Sequence, residues 1–250
     1  MNTMRSMIGL ASLAALPVPT ALAAQMPTRI AVLNPVPAVA VTRCGPARGA
    51  YAGIWASMLA SASLGGEAAK TELRALEDSL STLEAVGPDD IELQYTLAAV
   101  IGARAEIEGG LGQIEAAKEA HARARTVLAM DPGHPGAQHI LGRLNFEVLR
   151  MSRVKRFLAT RVLRGGELAA ANWGEARGML EAGAVGDPCS PDHHYHLARL
   201  YAEVGEVDLA RERLDAILRS TPSSARDSVV SARAAELRAG LEDVIENGSR

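Results

Sequence analysis

Five side chains able to bind a metal or act as nucleophiles fall within one short run: Cys189, Asp192, His193, His194 and His196. Thiolate, imidazole and carboxylate are the groups that zinc takes. On a helix, Asp192 and His196 lie four residues apart and share a face, and His193 and His196 lie three apart. Asp192, His193 and His196, with Cys189 beside them, are therefore the metal candidate of this chain. His134 and His139 could approach them from a neighbouring loop. The competing reading is structural. Asp192 sits where a first-turn carboxylate meets a helix dipole, and His194 falls in a core slot. A metal also needs three or four placed ligands, which this run alone does not fix. The structural reading is preferred, and no cofactor is expected.

A second chemical feature is a basic, apolar-interleaved segment at 150–171. Arg150, Arg153, Lys155, Arg156, Arg161 and Arg164, with Arg143 just before, face only Glu147, while Phe146, Leu149, Val154, Phe157 and Leu158 interleave. Such a helix can lie on an anionic membrane surface or hold an acidic partner. The alternative is a solvated charged face whose Phe157 and Leu158 pack inward. The chain has two cysteines, Cys44 and Cys189. In an oxidising compartment they form a disulfide, and otherwise they are two thiols. No H-E-x-x-H, G-x-S-x-G, P-loop or dinucleotide fingerprint occurs, so no enzyme activity and no small-molecule substrate are expected. The net charge of −3 and the lack of a basic recognition motif argue against nucleic acid.

These residues must be carried by helices. Aromatics make up 3% of a chain rich in alanine and leucine, which suits helix packing and fits a sheet poorly. The clearest unit is Ser190–Pro222. Ser190 is an N-cap, Pro191 sits at the first helical position and Asp192 follows at the positive end of the dipole. Leu197, Leu200, Tyr201 and Val204 form one stripe. Gly205 turns the chain, and Val207, Ala210, Leu214, Ile217 and Leu218 form the second stripe. Small Ala198 and Ala210 would let the two helices approach closely.

Earlier hairpins are read at 50–88, 91–132 and 135–188. The first pairs a helix from Ala50 to Ser63 with one from Glu67 to Val86. The second pairs 91–108 with 113–130 across a long loop, EGGLG. Its second helix offers either Ala120 and Ala124 or Ala117 and His121 as the close-packing pair. The third carries Leu141 and Gly142, then the insertion at 150–171, then Trp173, Ala176 and Leu180. The closing prolines at 88, 132, 188 and 222 are unevenly spaced, as in degenerate repeats. A final amphipathic helix at 224–247 would cap the last exposed face.

Residues 1–23 have a basic Arg5, an apolar run and an Ala21-Leu22-Ala23 site, the pattern of a secretory signal peptide. No acid occurs before Glu67, so a mitochondrial leader is the alternative. Residues 24–49 are a proline-rich lead-in, expected to be flexible, and the helical domain spans 50–250. A periplasmic or secreted location follows from the secretory reading.

The 190–222 unit resembles the tetratricopeptide repeat. Leu197-Ala198-x2-Tyr201, Ala210-x3-Leu214 and Pro222 occupy the repeat's slots, and His194 stands in its tryptophan slot. Residues 131–222 further resemble the regulator of microtubule dynamics family and its bacterial relatives. That resemblance is carried by DPGHPGAQHILGRLNFEV, the basic stretch, ANWGEARGMLEAG and DPCSPDHH. It implies a right-handed all-α hairpin solenoid acting as a binding module, and microtubule association for eukaryotic members. The expected function is a non-catalytic scaffold of the cell envelope or secretory route. It would bind an unidentified peptide or protein in its concave groove or on the basic insertion. Anionic-surface binding, metal binding and microtubule association are the alternatives.

Overall fold

The computed structural model describes residues 49–151 and 171–248, all in one compact unit. The leader, most of the lead-in and the insertion at 152–170 lie outside the described residues. So do Cys44, Arg153, Lys155, Arg156, Arg161 and Arg164. Among the described residues, a 3-10 turn at Gly49–Tyr51 is followed by nine α-helices: α1 (Ala52–Ser61), α2 (Gly66–Glu84), α3 (Ile91–Ile107), α4 (Gly110–Met130), α5 (Pro135–Arg150), α6 (Trp173–Gly186), α7 (Pro191–Glu203), α8 (Val207–Arg219) and α9 (Ala225–Gly248). Among the described residues there is no strand, and no helix is long and apolar enough to cross a membrane.

Each helix packs on the next from α1 to α9, giving an all-α solenoid of hairpins. The solenoid also closes, because α1 touches α9. The local chemistry explains the boundaries. Ser190 Oγ accepts the His193 amide at 3.4 Å, and Pro191 opens α7. Gly205 takes φ +81°, and Glu206 N reaches back to Tyr201 O at 2.8 Å, a left-handed helix stop. Asn172 caps α6 through the Glu175 amide at 2.8 Å. Asp90 does the same for α3 through Leu93 N, 3.1 Å.

Small residues set the seams. Ala98, Ala120, Ala124, Ala176, Ala198 and Ala210 are all fully buried. In α4 the buried residues are Ala116, Ala120, His121, Ala124 and Val127, and the alanines and Val127 join one core cluster with Leu97, Ala98 and Ile101 of α3. A Cβ on Gly142 would meet the Leu180 backbone nitrogen at 2.9 Å, so α5 and α6 are in near-backbone contact there. Leu141, Leu180, Leu197 and Leu214 fill the layers between, Tyr201 is buried beside them, and Trp173 packs edge-on against Phe146 with ring centroids 6.1 Å apart.

Several sequence expectations are corrected. The loop between α3 and α4 is short, Glu108–Gly109, because α4 begins at Gly110. Glu108 is held by Arg74 at 2.5 Å, and Gly110, at φ +60°, redirects the chain at once. Leu218, placed in an apolar stripe, is exposed, since Ile217 already fills that face. Helices α1 and α2 are each shorter than the hydrophobic pattern implies.

Candidate functional site

The first helices of the hairpins, α1, α3, α5 and α7, line the inner face of the solenoid, and the start of α9 closes over it. Together with parts of α2 and α4 they border an open groove of about 1590 Å³. One side is apolar: Trp55, Leu59, Leu73, Tyr95, Ile140 and Leu144. Trp55 Nε1 donates to Thr96 Oγ1 at 3.1 Å, which satisfies the indole as its ring enters the core. The other side is ionic and histidine-rich.

That ionic floor is assembled from four helices. Glu106, at the end of α3, takes Arg143 of α5 at 2.7 Å and Arg226 of α9 at 3.0 Å. Arg226 also meets Asp192 of α7 at 3.0 Å to one carboxylate oxygen and 3.3 Å to the other. Asp192 in turn faces His139 Nε2 of α5 at 3.5 Å and His196 Nε2 at 3.8 Å. Arg199 donates to Glu147 at 2.5 Å and to His196 Nδ1 at 3.2 Å.

Burial pushes the Asp192 carboxyl up, but Arg226 and the two imidazoles outweigh it and hold the group well below the usual carboxylate range. Glu106 is lowered in the same way, burial being outweighed by Arg143 and Arg226. His139 is pushed down by burial, with Arg143 and Arg226 adding to it against Asp192. His196 lies well below the ordinary histidine value, through burial and then Arg143. The floor therefore sets two carboxylates, held down by two guanidinium groups, beside two imidazoles whose charged form burial disfavours.

The structure redistributes the residues singled out from sequence. His194 is buried, and its Nε2 lies 2.7 Å from Pro188 O. His193 places Nδ1 3.1 Å from Gly183 O and stacks on His139 with ring centroids 4.1 Å apart. Cys189 is disulfide-bonded. Neither Cys189 nor His193 joins a converging ligand set, which corrects the metal candidate. Among the described residues the set that converges is His139, Asp192 and His196, their ligand atoms all within 4.8 Å of one another. Ser190 caps α7 and Asp192 stands in its first turn, both as expected. His134 caps α5, accepting Ala137 N at 3.2 Å.

Of the basic residues, Arg143 belongs to the floor, and Arg150 pairs with Glu203 at 2.8 Å, so these two do not face only Glu147. Glu106 and Arg226 are missed by sequence reading. Arg226 left one signal, because a cation in the first turn of a helix opposes the dipole and calls for an outside partner.

The described residues thus form an all-α hairpin solenoid around a lined groove. The regulator of microtubule dynamics protein 1-3 family model matches residues 67–242, and the chain belongs to that family. The match covers far more than the resemblance at 131–222, taking in α2 to α4 as well. No curated protein matches the chain.

Proposed function

We propose that this chain is a non-catalytic interaction module that holds a peptide or protein partner in its concave groove. The observation that carries this reading is the open groove of about 1590 Å³ lined by successive first helices, apolar along one side and ionic along the other. Helical-repeat surfaces of this shape, the tetratricopeptide class among them, accommodate extended or helical peptides through apolar anchors with polar registration. Family membership supports an interaction role. The leader pattern supports an exported location, periplasmic or secreted, and no catalytic constellation has been found in the sequence.

The test is site-specific photocrosslinking. A photoreactive residue at Ala103 or Leu144, inside the groove, should yield discrete adducts with one partner segment. The same residue at Leu83 or Val86, on the outer surface, should not. Adducts of equal yield from both sets would remove the groove as the binding surface. N-terminal sequencing of the secreted or periplasmic form should begin after Ala23; an unprocessed cytosolic chain would remove the export reading. Non-reducing peptide mapping should recover Cys189 joined to Cys44.

A second reading, microtubule association, is favoured by the family match alone. Co-sedimentation with polymerised tubulin, abolished by charge reversal at Arg153, Arg156 and Arg161, would support it. The same charge reversal tests the anionic-surface alternative by vesicle flotation. Retention of vesicle binding in that variant would exclude the insertion as the contact.

A further inference from the structure

We propose that His139, Asp192 and His196 form a binding site for a divalent transition ion of the zinc class, on the ionic floor of the groove. The three residues bring two imidazole nitrogens and one carboxylate to a common point, a donor set suited to such ions. Two of the donor separations, 3.5 Å and 3.8 Å, approach the edge of about 3.4 Å that tetrahedral ligands have at zinc distances. All three line the groove, so a coordination position faces into it.

An independent observation points to a ligand here. His139 is 5% exposed; its Nδ1 makes no hydrogen bond, and its Nε2 has only the long 3.5 Å contact with Asp192. A buried imidazole left so costs stability unless something else meets it. Its ring is already oriented, by stacking on His193 at 4.1 Å and by an edge contact with His196 at 5.4 Å. His193 and His196 stand three apart on α7, so one helix face both buttresses and ligates.

Three cations oppose the ion; Arg143 is paired with Glu106, and the behaviour of the other two makes the proposal specific. Arg226 already contacts Asp192, but each carboxylate oxygen keeps a further lone pair, and Glu106 at 3.0 Å is a second anchor for the guanidinium. Arg199 donates to His196 Nδ1, so neutral His196 carries its proton on Nε2. Coordination through Nε2 moves that proton to Nδ1. Arg199 must then leave the ring and keep its bond to Glu147. Arg199 is thus a brake on metal binding.

The test titrates Co²⁺ into the untagged, chelator-treated full chain and follows the visible ligand-field bands, with Zn²⁺ as competitor. One cobalt per chain, displaced by one zinc, is expected. His139→Gln should weaken binding by about 100-fold or more, at or beyond the upper end of what outer-shell losses cost. His194→Gln, whose ring faces Pro188 O and does not line the groove, should leave it nearly unchanged. Arg199→Met should tighten it about tenfold, on the scale of such outer-shell effects. Far-UV circular dichroism establishes that each variant is folded. Asp192→Asn is a further ligand variant where it folds; His139→Gln, which removes no short hydrogen bond, does not depend on it. A folded wild-type chain that takes up no cobalt, or cobalt binding that persists in folded His139→Gln, overturns the proposal. This outcome is separate from the photocrosslinking result, which does not require a metal.

Discussion

The seams between helices and the floor of the groove are both buried, yet they are made of opposite chemistry. At the seams, Ala98, Ala120, Ala124, Ala176, Ala198, Ala210 and Gly142 let backbones come together, and leucines fill the layers between them. Nothing polar is at stake there, so dispersion and the hydrophobic effect act almost alone. On the floor, Glu106, Arg143, His139, Asp192, His196 and Arg226 surrender water and are paired mainly with one another. Buried ion pairs of that kind add little net stability relative to apolar packing, but each becomes costly once a partner is removed. The seams hold the fold. The floor ties α3, α5, α7 and α9 together and leaves a chemically distinctive surface inside the groove.

Four substitutions separate the two regions by the size of their effects. Leu180→Ala, at a fully buried seam position, should cost about 4 kcal/mol in denaturant unfolding, through lost transfer energy and a cavity. A loss below about 1 kcal/mol would mean that the α5–α6 seam collapses around the gap. Asp192→Ala should cost about 3 kcal/mol, since buried Arg226 loses a counter-charge and His139 and His196 lose their nearest acceptor. It should also be strongly non-additive with Arg226→Met, because the two residues share one network. Additive losses would show that the floor is a set of independent pairs. Gly142→Ala should cost about 2 kcal/mol by overpacking against Leu180 and Met179, read as a lower denaturation midpoint with an unchanged slope. Arg238→Ala removes surface pairs with Asp215 and Glu242 and should change stability by less than about 1 kcal/mol. A larger loss would mean that α9 is held by its outer charges more than by Val230 and Ala234.

The hairpin at 190–222 was legible because each of its signals is local. The Ser190-Pro191 start, the three-and-four spacing of Leu197, Leu200 and Tyr201, and the Gly205 stop each act within a few residues. The α3–α4 loop was misread for the converse reason. Three glycines within four residues look like a long break, but a helix tolerates Gly110 and Gly112 in its first turn once Arg74 anchors Glu108 from another helix. The same limit governs His134 and His139. Both stand near the start of α5, yet one caps that helix and the other turns into the groove.

By itself, then, the amino-acid sequence determined the helices, their pairing into hairpins and the small residues at the seams. These follow from interactions between residues a turn or a hairpin apart. The membership of the floor was left to the tertiary structure. Glu106 and Arg226 are 120 positions apart and meet only because the solenoid closes and brings α9 back across α3. His139 replaces His193 and Cys189 beside Asp192 for the same reason. Which face of α5 meets which face of α7 depends on the angle and stagger of packed helices, and no local spacing encodes that.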